Sequence, residues 1–144
     1  MVSKQHNMLK ISSNPQNLEY VESFVEKIFE KHQLSPAIYG NILISLTEAV
    51  TNAIKHGNAS DESKCVCLKC NVSQSQIAFE ISDEGTGFDF DSLPDPTAPE
   101  NLLQIGGRGV FLMRQLSDDV TFRDDGSTVE ICFHLWSQTT SPKK

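Results

Sequence analysis

Three short stretches carry the residues best suited to chemistry. Glu48, Asn52 and His56 recur at i, i+4 and i+8, which places them in one row on a helix face. Such a row is either turned toward a ligand or is the solvated polar face that helices normally carry. Asp83 continues the phase of Ile77, Phe79 and Ile81, so a carboxylate falls at an apolar-facing strand position. Burial there is costly unless something hydrogen-bonds the charge. The residues after it, Glu84-Gly85-Thr86-Gly87-Phe88, contain two glycines that would let backbone approach a ligand closely. Gly106-Gly107-Arg108-Gly109-Val110 stands just before a helical pattern. Backbone N–H groups and the helix dipole bind anions at such a place, and Arg108 adds a charge suited to phosphate oxygens. A flexible hinge is the plainer reading of those glycines.

The elements that must position these residues follow from periodicity. Leu9 and Ile11 alternate across a short strand, 8–12. Asn14-Pro15 starts an amphipathic helix over 16–32, and Ser35-Pro36 starts a longer one to His56. Its apolar stripe is Ile42, Leu43, Leu46, Ala49, Val50, Ala53 and Ile54, and Gly57-Asn58 reads as an end that tolerates positive φ. Strand patterns cover 64–72, 76–83, 119–124 and 128–136, the last two joined by an Asp124-Asp125-Gly126-Ser127 hairpin turn. A short helix is expected from about Gly107 to Leu116. Strands joined by short turns and separated from helices predict an α+β two-layer sandwich: a mostly antiparallel, mixed sheet with helices on one face.

With 144 residues the chain fits one domain, here residues 1–136, with 137–144 as a disordered tail. A formal net charge of -7 argues against non-specific nucleic-acid binding, because phosphates would be repelled. No apolar stretch reaches the roughly 20 residues of a membrane span, and Met1 to Asn7 lacks a signal peptide's apolar centre. The cytoplasm is the expected location. Cys65 and Cys67 would face one side of a strand and Cys70 the other, which splits a zinc ligand set; free thiols are expected.

No glycine precedes a lysine, so there is no P-loop, and Leu112 stands where a Rossmann motif needs its third glycine. The order Glu-x-x-x-Asn helix, Asp-x-Gly-x-Gly turn and glycine-rich helix start instead resembles the GHKL ATPase superfamily. Glu48 to Asn58 looks like its N box, Asp83 to Phe88 its first glycine box, and Gly106 to Met113 its second. The small size and Gly107-Arg108-Gly109-Val110-Phe111-Leu112-Met113 are most similar to the bacterial anti-sigma-factor serine kinases, from Leu9 to Phe133.

That resemblance implies the Bergerat fold and Mg·ATP as ligand. It makes Glu48 the general base toward a substrate serine and Asn52 the Mg²⁺ ligand. His56, inside the N box, is then no phosphorylation site. Asp83 would accept from the adenine amino group, with Thr128 supporting that contact. Gly85 and Gly87 would let the backbone close over the base. Gly107, Arg108, Gly109 and Val110 would meet the phosphates, and the proline-containing stretch 88–105 would be the ATP lid. The implied partners are a small antagonist protein carrying the serine, a sigma factor, and a second copy of the chain in a homodimer. Two rivals stand beside this: a nucleotide-gated binding module that sequesters a partner and transfers phosphate slowly or never, and a regulatory module of another switching system, such as a phosphatase-controlled one. Glu48 speaks against the former, since binding alone needs no base.

Overall fold

Alternation on the strands and a 3.6-residue period on the helices sort the apolar residues into one shared core. The computed structural model describes residues 2–5, 7–85 and 112–135. Strand β1 (Val2–Gln5) and strand β2 (Met8–Ser12) lead into helix α1 (Leu18–His32) and helix α2 (Tyr39–Asn52). Strands β3 (Cys65–Val72), β4 (Gln76–Ser82), β5 (Asp119–Arg123) and β6 (Thr128–His134) follow. They form one sheet in the order β1-β2-β3-β4-β6-β5, and every ladder among them is antiparallel. This is the α+β sandwich expected. The tail beyond Leu135 lies outside the described residues.

Register decides which side chains meet the helices. Leu68 pairs with Ile81, Cys70 with Phe79, and Phe79 in turn with Ile131. These residues are buried with Val21, Phe24, Val25 and Ile28 of α1 and Ile42, Leu46 and Val50 of α2. The opposite face carries Lys69, Glu80, Glu130 and Cys132, none of them fully buried. The helices therefore cover one face only among the described residues.

Capping residues set the helix starts. Asn14 accepts from the Gln16 N–H at 2.9 Å and Ser35 from the Ala37 N–H at 3.1 Å, each followed by proline. Each cap opens a short 3₁₀ turn, so α1 and α2 begin a few residues later than periodicity suggests. The far end of α2 departs more. Ala53–Gly57 form a π-helical turn, in which the Asn58 N–H reaches back to the Ala53 carbonyl at 2.8 Å. His56 lies within that turn and is exposed, whereas Glu48 is half-buried and Asn52 buried. Gly57-Asn58 does not end the helix through positive φ: Asn58 has φ -96, and the left-handed residues are Ala59 and Ser60.

The cysteines divide by strand phase, as expected, and all are free thiols. Cys70 faces the core, where burial pushes its thiol up to about 12. Only thiolate attacks an alkylating reagent or disulfide, so Cys70 should stay unmodified in the folded protein while Cys65 and Cys67 react. Counting reactive thiols with a chromogenic disulfide, before and after adding denaturant, checks this: Cys70 should appear only on unfolding.

Candidate functional site

The last turn of α2, the end of β4 and the β5–β6 hairpin converge beside the core. There they leave a recess lined by Ala49, Asn52, Ala53, Ile81, Asp83, Met113, Phe122, Gly126, Ser127 and Val129. Helical spacing brings Ala49, Asn52 and Ala53 to one side of α2, and the two alanines keep that wall low. Ile81 and Val129 pair across β4 and β6 and form an apolar floor. Phe122 pairs with Val129 from the neighbouring strand. A flat aromatic ligand with a polar edge suits such a floor and rim.

Two polar groups of the recess have unspent hydrogen-bonding capacity. Asn52 is only 5% exposed, and its Nδ2 has no hydrogen-bond partner among the described residues. Leaving such a group unpaired costs about 1–3 kcal/mol, so a ligand acceptor at this point recovers the loss. Asp83 sits at the end of β4, where its N–H donates to the Ser127 carbonyl at 2.9 Å. Its Oδ1 accepts from the Gly85 N–H at 2.8 Å. The remaining carboxylate capacity is open to a donor.

Burial raises Asp83 above the ordinary carboxylate value, partly offset by the Gly85 N–H and the Lys64 charge. A raised folded-state value means that folding disfavours the charged form. Its stabilising share is thus complete below the unfolded carboxylate value and is lost as pH rises through the raised one. Relative to Asp83→Asn, the ligand-free wild type should therefore lose thermal stability as pH climbs through that window. A ligand amino group needs the ionised acceptor, so affinity for it should rise over the same window. Melting temperatures and titration calorimetry across acidic to neutral pH check the two opposed slopes.

Glycines allow this crowding. A Cβ on Gly57 would run into the Asp83 carboxylate, and a Cβ on Gly85 would run into the Gly57 carbonyl. Gly57 is thus required for close approach, not for its own φ.

Of the residues singled out in the sequence, the structure brings Asn52, Asp83 and Gly85 together, with half-buried Glu48 one turn before Asn52 on α2. Thr128 is placed otherwise. It is buried, but its Oγ1 meets Ser82 Oγ at 3.2 Å across β4 and β6, and the recess is lined by Ser127 instead. Alternation held the signal: Ser127 shares the phase of Val129 and Ile131, and Thr128 does not. Gly87, Gly107, Arg108, Gly109, Val110 and the stretch 88–105 lie outside the described residues.

The histidine kinase-like ATPase domain family matches residues 11–133, most of the chain and every element that lines the recess. The chain belongs to this family. Among histidine kinase-like ATPase domains of known name, it is similar to the serine-protein kinase RsbW of Staphylococcus epidermidis. The two are 30% identical over 132 residues, covering 84% of this chain and 83% of the relative. The serine-protein kinase RsbW of Listeria innocua is 25% identical over 128 residues, covering 84% and 82%. Among solved structures, the blue-light activated histidine kinase of Erythrobacter litoralis superposes with a TM-score of 0.51 at 27% identity. That match covers 73% of this chain and 33% of the other, so the shared part is a third of that kinase. Among the described residues no helix is long and apolar enough to cross a membrane.

Proposed function

We propose that this histidine kinase-like ATPase domain is a Mg·ATP-dependent protein serine kinase that phosphorylates a small antagonist protein and sequesters a sigma factor. One observation carries the reading: a half-buried carboxylate and a buried amide nitrogen, without a partner among the described residues, open into one apolar recess sized by alanines and glycines. Asp83 accepts from the adenine amino group, Ser127 flanks it, and Ile81 and Val129 support the base. The names of the relatives in Staphylococcus and Listeria support serine as the acceptor.

Among the described residues no three His, Cys, Asp or Glu side chains are grouped to hold a metal. Magnesium with a nucleotide needs no such cage, since phosphate oxygens and water supply most of its ligands. The Asn52 amide oxygen fits as its protein ligand, which leaves Nδ2 for a phosphate oxygen. When bound, the ion neutralises phosphate charge during transfer. Glu48, one helical turn or about 6 Å before Asn52, takes the proton from the serine hydroxyl. As that oxygen bonds to the γ-phosphorus, the bond to the bridging oxygen breaks and ADP leaves.

The test is incubation of the full chain with γ-labelled Mg·ATP and candidate antagonist proteins from the same organism. Label on an antagonist serine supports the kinase. Nucleotide binding with no transfer to any of them would instead favour a nucleotide-gated binding module. A protein that binds no adenine nucleotide would sink both.

A further inference from the structure

We infer that Asn58 is a positioning residue that sets the nucleobase selectivity of the recess by fixing the turn that carries Asp83; this rests on the reading of Asp83 as the adenine acceptor. Asn58 lies just beyond the π-helical turn and is 0% exposed. Every polar group of the residue is used. Its N–H donates to the Ala53 carbonyl and its carbonyl accepts from the Asp61 N–H at 3.0 Å. Its Nδ2 donates to Ser13 Oγ at 2.8 Å and to the Cys65 carbonyl at 3.1 Å. Its Oδ1 accepts from the Glu84 N–H at 2.8 Å.

The partners are what make this more than a satisfied core amide. Ser13 follows β2, Cys65 opens β3 and Glu84 follows β4, so one side chain ties three strand ends to the end of α2. Ser13 Oγ is itself anchored, donating to the Lys64 carbonyl at 2.8 Å. Nδ2 thus faces acceptors and Oδ1 must face a donor, which fixes the amide's orientation. Glu84 stands between Asp83 and Gly85, and the Gly85 N–H holds Asp83 Oδ1. The Glu84 carboxylate also accepts from the Cys65 N–H, at the strand end that Asn58 holds from the other side. The Gly57 carbonyl packs beneath Gly85. Moving Glu84 off Asn58 rotates the peptide linking it to Asp83, and the carboxylate turns with it.

The experiment compares affinities for Mg·ADP and Mg·GDP by titration calorimetry in wild type, Asn58→Ala and Ser13→Ala. Ser13→Ala removes one acceptor of Nδ2 but leaves the bond to Glu84, so it should lower the melting temperature and keep the ADP preference. Asn58→Ala should reduce the ADP-over-GDP ratio by about tenfold or more, the scale of one lost buried hydrogen bond. A purely structural role lowers the folded fraction for both nucleotides and leaves their ratio alone. An unchanged ratio in Asn58→Ala therefore overturns the inference. If wild type shows no ADP preference, the reading of Asp83 fails first, and that result is separate. Should Asn58→Ala not fold, amide exchange in the wild type decides: the Glu84 N–H should be as protected as those of β4. Exchange at the rate of an exposed turn overturns the inference.

Discussion

Glu48→Gln should slow phosphoryl transfer to an acceptor serine by about 10²–10⁴-fold, the usual contribution of a positioned general base. Affinity for Mg·ADP should change little. The reason for the separation is spatial: Glu48 lies on α2 beside Ala49 but does not line the recess, whereas Asn52 does. Glutamine keeps the shape and hydrogen-bonding reach of the side chain and removes only the proton acceptor. Single-turnover transfer of labelled phosphate, set beside ADP titration, reads the two quantities independently. Equal transfer rates in wild type and variant would remove Glu48 from the mechanism. Loss of both transfer and binding would make it part of the binding site instead.

Gly85→Ala is expected to weaken adenine-nucleotide binding by about 100-fold, the scale of misplacing a reacting or recognising group by about an ångström. The added Cβ meets backbone, not a side-chain tip, because the Gly57 carbonyl occupies that space. Neither backbone can recede easily. The Gly57 side is held by the Asn58 N–H bond to Ala53, and the Gly85 side by the bonds of Asp83 to Ser127 and of Glu84 to Asn58. A stability cost of about 1–3 kcal/mol should accompany the loss, as for other forced overpacking. Gly57→Ala makes an instructive pair, since its Cβ meets the Asp83 carboxylate, which can rotate away. That variant should keep more stability yet still lose adenine preference. Thermal unfolding and ADP titration of the two variants distinguish backbone displacement from carboxylate displacement.

Much of this arrangement is legible in the residues because alternation and helical period report burial directly. The phase of Asp83 with Ile77, Phe79 and Ile81 marks it as inward-facing, and the structure places it in the recess. The Asp124–Ser127 turn joins β5 and β6 as the turn residues imply, with Asp124 and Gly126 both at positive φ. Other features depend on pairing partners that local pattern does not encode. Strand β1 has only Val2 as an apolar branched residue, and it is a strand because Val2 pairs with Ile11 and Lys4 with Leu9 of β2. The π-helical turn goes with the bonds that Asn58 makes far away in sequence, so periodicity alone reads α-helix straight through to His56. Thr128 and Ser127 differ by one step of a two-residue period. The alternation of Val129, Ile131 and Phe133 separates them, and it assigns Ser127 to the recess side.

The strand order has a consequence for how such a protein changes over time. Strand β6 lies between β4 and β5, so the whole excursion from Asp83 to Asp118 leaves the sheet on one side of β6 and rejoins it on the other. Every ladder among the described residues lies outside it. For a loop in general, doubling the length costs only about 0.6 kcal/mol of closure entropy. Insertions and deletions between the two glycine-rich stretches are therefore expected to leave the ladders of the sheet intact. Length changes in that connection leave the register of the strands beneath intact.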